Sequence, residues 1–311
     1  MKVYRSIESF EVKGPKVVTL GTFDGVHSGH RKILNRLRQI SRQQNMPSVL
    51  LTFFPHPRMV LQNKQSDLKL LNTLDEKIAL LESEQLDHLI IHPFTLEFSR
   101  MSHTEFVREM LVNRIGVKKL VVGYNHQFGR NREGSFEQLK ELSQTFEFDV
   151  EEIPAEDIDE VIVSSTKIRE ALMEGQLKVA NLYLGYDYQL SGKVVAGDRI
   201  GRSIGFPTAN IQIGDPNKLI PANGVYAVTV QVEDTWYNGM LNIGNRPTVK
   251  GQEQRVEVHI FDFQRSIYDL EVVIRLKEKI RNEKDFGDLT ALTSQLRSDK
   301  EKALKVLADE T

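Results

Sequence analysis

Apolar positions in the first half of the chain follow two alternating rhythms. Short aliphatic runs, KVVTL (16–20), SVLLTFF (48–54), HLII (88–91) and KKLVVG (118–123), read as buried strands. Between them the spacing lengthens to threes and fours. Ile33, Leu34, Leu37 and Ile40 mark one helical face after the first strand. Thr73 with Glu76, Ser102 with Glu105, and Ser135 with Gln138 each place a hydroxyl three residues before a carboxylate or amide, the pattern that caps a helix start. Strands alternating with helices of this length predict right-handed βαβ units and a Rossmann-like α/β domain, a parallel sheet with flanking helices. Its site is expected at the carboxyl ends of the strands.

From about Tyr183 the rhythm changes. YQLSGKVVAG, GVYAVTVQV, TWYNGMLNIG, QRVEVHIFDF and DLEVVIRL read as strands separated by Gly, Pro, Asn and Asp. The next helical spacing is DFGDLTALTSQLRSDKEKALKVL (285–307). This half predicts a small antiparallel β-barrel with a C-terminal helix. The 311 residues exceed what one core usually holds, about 250–300, and the pattern divides them into domains at 1–182 and 183–311.

Charge removes one class of function. The net charge is −2, with 24 basic and 25 acidic residues before residue 183. Neither half is basic enough to suggest nucleic-acid binding through a charged face. The absence of cysteine excludes disulfides, thiolate metal sites and cysteine nucleophiles. MKVYRSIESF lacks a signal-type apolar region and no long apolar run follows, so a cytoplasmic protein without a membrane partner is expected.

Candidate chemistry begins at LGTFDGVHSGHRKIL (20–34), between the first strand and its helix. Gly21 and Gly25 let the backbone turn sharply, and Gly29 leaves room near the helix start. A helix N-terminus offers free N–H groups and partial positive charge, and His27 and His30 add two imidazoles. Such a cradle suits charge building on a phosphate under in-line attack. Taken alone, a Gly-rich turn with two solvated histidines explains the stretch equally well. Three further stretches fall at strand ends or helix starts. TFFPHP holds His56 between prolines. VGYNHQFGRNREG brings Asn125, His126, Arg130 and Arg132. SSTKIR offers Ser165, Thr166 and Arg169, or simply a helix cap.

The second half has no P-loop and no protein-kinase signature set. GKVVAGDRIGRSIGFPTANI instead spaces Gly197, Gly201 and Gly205 around Arg199 and Arg202, a flexible basic loop able to cover phosphates. Thr208 and Asn210, two apart, share a face on a strand and could hold Mg²⁺ through oxygen. In QRVEVHIFDF, Val256, Val258 and Ile260 alternate towards a core, while Glu257, His259 and Phe261 face the other way. Glu257 can be read as a base for a substrate hydroxyl or as a solvated strand carboxylate. LNIGNRPT adds Asn242 and Arg246.

Together these motifs resemble, in order and over nearly the whole chain, the bacterial bifunctional riboflavin kinase/FMN adenylyltransferases, also called FAD synthetases. GTFDGVHSGH, TFFPHP, VGYNHQFGRNREG and SSTKIR match the nucleotidyltransferase module. GRSIGFPTANI, GVYAV, LNIGNRPT, VEVHIFDF and IRNEKDFGDLTALTSQLRSD match the kinase module. The resemblance implies that His27 and His30 hold ATP phosphates and stabilise the transition state, within a cradle of Gly21, Phe23, Asp24, Gly25 and Gly29. It implies that His56 sits beside the phosphates, that Asn125 and Arg130 contact phosphate, and that Ser165, Thr166 and Arg169 bind the triphosphate. In the other module it implies Mg²⁺ and ATP phosphates on Thr208 and Asn210, a nucleotide loop of Gly197, Gly201, Arg202, Gly205 and Pro207, and Glu257 as general base. Flavin would lie between the barrel and the C-terminal helix, around Arg281 to Phe286, with Asn242 and Arg246 as further binding residues. Asn125 and His126 stand where many relatives have Asp and Phe, and Asp269 where many have Gly. Riboflavin, FMN, FAD and ATP are the implied partners, with no nucleic acid and no obligatory protein. Two other readings compete: a nucleotidyltransferase for another substrate, which leaves the barrel motifs unexplained, and a non-catalytic flavin-binding regulator.

Overall fold

The computed structural model describes residues 1–62, 67–124, 128–129, 134–154, 163–197, 200–248 and 251–308. Asn125, His126, Arg130, Arg132 and Arg199 lie outside the described residues, as does the side chain of Arg246. Contacts divide the chain into two compact units, Met1–Ser165 and Thr166–Thr311.

In the first unit the strands are β1 (Lys2–Tyr4), β2 (Lys16–Leu20), β3 (Ser48–Phe54), β4 (His88–Pro93), β5 (Val117–Gly123) and β6 (Asp149–Ile153). The helices are α1 (Ser28–Gln44), α2 (Pro57–Leu61), α3 (Leu74–Ser83), α4 (His103–Glu105, continuing as a π-type turn through Phe106–Ile115) and α5 (Phe136–Thr145). The strands form one six-stranded sheet in the order β1-β4-β3-β2-β5-β6, and every pairing is parallel. Alternate residues feed opposite cores, as a sheet covered on both faces requires. Val17, Leu50, Leu89 and Val121 pack with Leu34 and Leu37 of α1 and Leu81 of α3. Val18, Val49, Ile90 and Leu120 pack with Phe106, Val107 and Leu111 of the α4 segment and Leu139 of α5. All three capping boxes form, at Thr73, Ser102 and Ser135. Chain order reverses where β2 meets β3 on one side and β5 on the other, and ligands of open α/β sheets bind in the crevice beyond such a point.

The second unit opens with α6 (Ser165–Met173) and α7 (Leu177–Leu184). Both begin before residue 183, and the second runs across it, yet their bonds run into the barrel. The Ala222 N–H donates to the Leu172 carbonyl at 3.0 Å, and the Asn181 amide donates to the Leu276 carbonyl at 2.9 Å while accepting from the Tyr188 N–H at 2.9 Å. Six strands close an antiparallel barrel in the order β10-β11-β8-β7-β12-β9. They are β7 (Gln189–Val195), β8 (Ala209–Gln212), β9 (Gly224–Val232), β10 (Thr235–Thr248), β11 (Gly251–Ile260) and β12 (Glu271–Arg281). A short turn, α8 (Ile200–Ser203), and the long C-terminal α9 (Leu289–Ala308) complete the unit. Val228, Leu241, Val258 and Ile274 are fully or almost fully buried. A separate apolar cluster joins Ala303 and Leu307 of α9 to Phe206, Ala227, Met240 and Phe261.

A buried ion pair ties α9 to β12. Asp299 has no exposed surface, and its carboxylate accepts from Arg281 Nε at 2.9 Å, from Arg281 Nη2 at 2.8 Å and from Gln295 Nε2 at 2.8 Å. Removing one partner of such a pair leaves the other charge uncompensated and costs about 3–5 kcal/mol. Asp299→Ala is therefore expected to lower the thermal midpoint of the second unit sharply, with Asp299→Asn losing less. A calorimetric loss under about 1 kcal/mol for the alanine variant would show that the pair is dispensable.

Candidate active sites

The N-terminal site is built on the turn leaving β2. Gly21 donates its N–H to the Leu51 carbonyl at 3.1 Å, and a Cβ there would press the Phe23 ring at 3.0 Å. The chain then turns through left-handed residues, Phe23 at φ 47°, Gly25 at φ 87° and Val26 at φ 38°. Phe23 and Val26 are buried, so packing holds the turn against that conformational cost. Asp24 is also buried, and its carboxylate accepts from the Leu71 N–H at 3.0 Å. The Asp24 carbonyl accepts from Ser165 Oγ at 2.8 Å, which brings one expected hydroxyl to this turn. Thr166 and Arg169 follow on α6 and belong to the second unit.

The two histidines meet. His27 is the N-cap of α1, and its Nδ1 accepts from the His30 N–H at 3.4 Å. The imidazoles stack with centroids 3.7 Å apart and an interplanar angle of 17°, and Phe23 lies 4.7 Å from the His30 ring. Gly29 is buried beneath them. His30 Nδ1 is enclosed and has no hydrogen-bond partner. Burial, helped by the neighbouring His27 and by Lys77, pushes the His30 pKa well below the usual imidazole value. His30 is thus neutral in the free chain and has a nitrogen to offer. His56, after β3, caps α2 by accepting the Arg58 N–H on Nδ1 at 3.2 Å.

Two features here escape sequence reasoning. Lys77 of α3 is buried, and its Nζ donates to the Thr22 carbonyl at 2.9 Å. The signal was present, since Lys77 falls in line with Leu74, Ile78 and Leu81, a cation within an apolar helical stripe. The second is an aromatic group past β3 and β4. Phe53, Phe94 and Phe98 have ring centroids 5.6–5.8 Å apart, at the strand ends that also carry His56.

The C-terminal site is a row across three strands. In register, Asn210 of β8 faces Glu257 of β11, and Glu257 faces Asn242 of β10. Directly opposed residues lie on one face of a sheet, so an amide, a carboxylate and an amide stand side by side. Glu257 is half-buried and lies 3.7 Å from the Arg255 guanidinium. Two residues along, His259 is buried, its Nδ1 2.7 Å from the Pro207 carbonyl, which fixes the segment leading into Thr208. Burial lowers the His259 pKa. His259 and Phe261 therefore sit beneath Phe206 and α9, and the polar row begins where that apolar cover ends.

The glycine loop closes on this row. A Cβ on Gly197 would collide with the Asn210 amide, and one on Gly201 would collide with the Phe206 carbonyl and come 3.6 Å from Thr208 Oγ1. Gly205 takes φ 83°, where a side chain is strained. Arg202 is exposed. Arg281 already binds Asp299 and stacks its guanidinium 5.4 Å from the Phe286 ring centroid. Asp269 takes φ 66°, a conformation glycine favours, and pairs with Lys193 at 2.9 Å. Among the described residues no three His, Asp or Glu side chains gather into a metal cluster.

Residues 9–167 match the family model FAD synthetase, and residues 184–307 match the model riboflavin kinase. A bifunctional riboflavin kinase/FMN adenylyltransferase of Haemophilus influenzae is 39% identical over 92% of each chain. The chain belongs to the bifunctional riboflavin kinase/FMN adenylyltransferase family. Members from Escherichia coli K12, 36% identical over 96% of each chain, and Bacillus subtilis, 32% identical over 96% of this chain, carry the same name. The family fold also appears in a crystal structure of a Streptococcus pneumoniae protein described as a macrolide-efflux protein, with a TM-score of 0.88, 31% identity and coverage of 96% and 97%. Among the described residues no helix is long and apolar enough to cross a membrane.

Proposed function

We infer that the chain makes FAD from riboflavin in two ATP-dependent steps. The 183–311 module phosphorylates riboflavin to FMN, and the 1–182 module adenylylates FMN. The reading rests most directly on the row Asn210–Glu257–Asn242, which sets a carboxylate between two neutral amides beside the glycine loop. In the kinase step Glu257 takes the proton from the primary hydroxyl of riboflavin as its oxygen attacks the γ-phosphorus of ATP and ADP departs. Gly197, Gly201, Arg202, Gly205 and Pro207 cover the phosphates. Thr208 and Asn210 offer two neutral oxygens, a set that suits Mg²⁺ when phosphate oxygens supply the remaining ligands. The cation would neutralise charge on the transferring phosphoryl group. Part of the outer face is filled by Ala303 and Leu307, which leaves the end near Asn242, Arg246, Arg281 and Phe286 for the flavin ring.

In the second step a phosphate oxygen of FMN attacks the α-phosphorus of a second ATP and pyrophosphate leaves, with no covalent enzyme intermediate. Gly21, Phe23, Asp24, Gly25 and Gly29 form the cradle, and His27 and His30 stabilise charge on the phosphates. His56, Asn125 and Arg130 border them, and Ser165, Thr166 and Arg169 bind the triphosphate. The aromatic faces of Phe53, Phe94 and Phe98 suit a planar flavin ring at the same sheet edge. The enzyme works in the cytoplasm, and neither nucleic acid, membrane nor a protein partner enters the scheme.

Purified protein with riboflavin and Mg-ATP is expected to give FMN first and FAD later, followed by chromatography with fluorescence detection. FMN without FAD would remove the second assignment. Flavin binding without turnover would replace both with a regulator.

A further inference from the structure

The buried cation under the glycine turn has no place in the scheme above. Lys77 is 7% exposed, and its ammonium donates to the Thr22 carbonyl at 2.9 Å. Thr52, fully buried on β3, donates its hydroxyl to the same carbonyl at 3.3 Å. That carbonyl immediately precedes the left-handed Phe23 and the buried Asp24. The lysine is anchored from its own side as well. It stands in the first turn of α3, where the Thr73–Glu76 capping box is complete and the Lys77 N–H bonds the Thr73 carbonyl at 3.0 Å. A buried ammonium is expensive to place, and a hydrophobe would pack the same stripe at less cost. A charge placed there at such cost argues for work that needs it.

We infer that Lys77 is a positioning residue for the N-terminal site: from beneath the turn it holds the Thr22 carbonyl and, with it, the placement of Asp24 and the His27–His30 stack. The inference rests on adenylyl transfer taking place at this site. The ammonium and the His30 imidazole repel each other; burial lowers the Lys77 pKa, and the Asp24 carboxylate works against that shift by favouring the ammonium. Among the described residues, the charged and titratable groups acting on His30 are His27 on the turn and Lys77 on α3, with Asp24 acting through Lys77. Phe23 covers one side of the ring. The result is an imidazole held neutral in the free chain. It gains a proton when a polyphosphate brings enough negative charge to outweigh the lysine.

The test uses the full chain as wild type, Lys77→Met and Lys77→Arg. Three readings are taken: FAD formation from supplied FMN, FMN formation from riboflavin, and the NMR titration of His30. For Lys77→Met the expected result is a fall in adenylylation kcat on the order of ten- to a hundredfold, the scale of a misplaced site, with little change in KM for FMN. Its His30 midpoint moves to higher pH, because the repelling cation is gone. Lys77→Arg keeps the cation, so its midpoint stays near wild type and part of the rate returns. A wild-type thermal transition of the first unit, measured by calorimetry, shows that the variant is folded there, and FMN formation at the wild-type rate shows that the other unit is untouched. Wild-type adenylylation together with an unmoved His30 midpoint in Lys77→Met overturns the inference. So does a rate lost equally in Lys77→Arg with no movement of the midpoint in either variant, which is the outcome of a purely structural lysine. Absence of FAD from the wild type would instead overturn the reading on which the inference rests.

Discussion

Glu257→Gln is expected to stop FMN formation while leaving adenylylation of supplied FMN at the wild-type rate. Glutamine keeps the shape and the hydrogen-bonding reach of glutamate but cannot take a proton. It should therefore sit between Asn210 and Asn242 with the cross-strand register intact. Glu257 is half-buried with one distant ion-pair partner, so the substitution should cost little stability. What disappears is the base. General bases contribute about 10²–10⁴-fold, and kcat for riboflavin phosphorylation should fall within that range. KM for Mg-ATP should change little, because the nucleotide is held by the glycine loop, Thr208 and Asn210. Retention of FMN formation to within a few-fold would move the base elsewhere. Loss of both activities in a folded variant would break the assignment of one reaction to each module.

Most of this architecture was legible because strong local signals agreed with the tertiary outcome. Every long aliphatic run of the first half became an interior strand, and each hydroxyl-to-carboxylate spacing became a cap. What escaped lies at edges. Lys2–Tyr4 is three residues long, and Asp149–Ile153 carries three acidic residues. Each is an outer strand of the sheet, where charge discourages further pairing and blurs the apolar pattern. The two helices that begin before residue 183 are a different case. Their spacing matches that of any α/β helix, and only the bonds of Leu172 and Asn181 show that they pack with the barrel.

The same contrast holds at the sites. The HxGH turn and the PTAN segment were visible because glycine, histidine and a hydroxyl–amide pair are chemically marked residues. The neighbours that hold them were not. His259 was legible as sharing a face with Glu257, but its bond to the Pro207 carbonyl joins positions 52 apart in sequence. Lys77 reaches Thr22 across 55 positions. Periodicity can flag a cation in an apolar stripe, yet it cannot say which carbonyl the cation meets. Asp299 resembles any other helix acid until Arg281 is seen beneath it.

Replacement of either stacked histidine is expected to halt the pathway at FMN. With riboflavin and Mg-ATP, His30→Ala should accumulate FMN at the wild-type rate and reduce FAD formation on the order of 10²–10³-fold, the scale of losing one preorganised donor to developing charge. His27→Ala should do the same and also remove the N-cap of α1, which costs about 1 kcal/mol. His27→Asn keeps a capping acceptor, so it separates the two effects: stability returns and FAD formation does not. The pH behaviour gives a second reading. Burial holds the His30 pKa well below the ordinary imidazole value in the free chain, and the negative charge of a bound triphosphate should raise it. The complex then binds a proton that the free chain does not, so ATP binding at this site should take up protons and strengthen as pH falls between the free and bound pKa values. Calorimetry in two buffers of different ionisation enthalpy measures that uptake directly. Uptake in the wild type that vanishes in His30→Ala places the proton on His30. Equal uptake in both would put it on another group and leave the stacked pair as a packing feature of the turn.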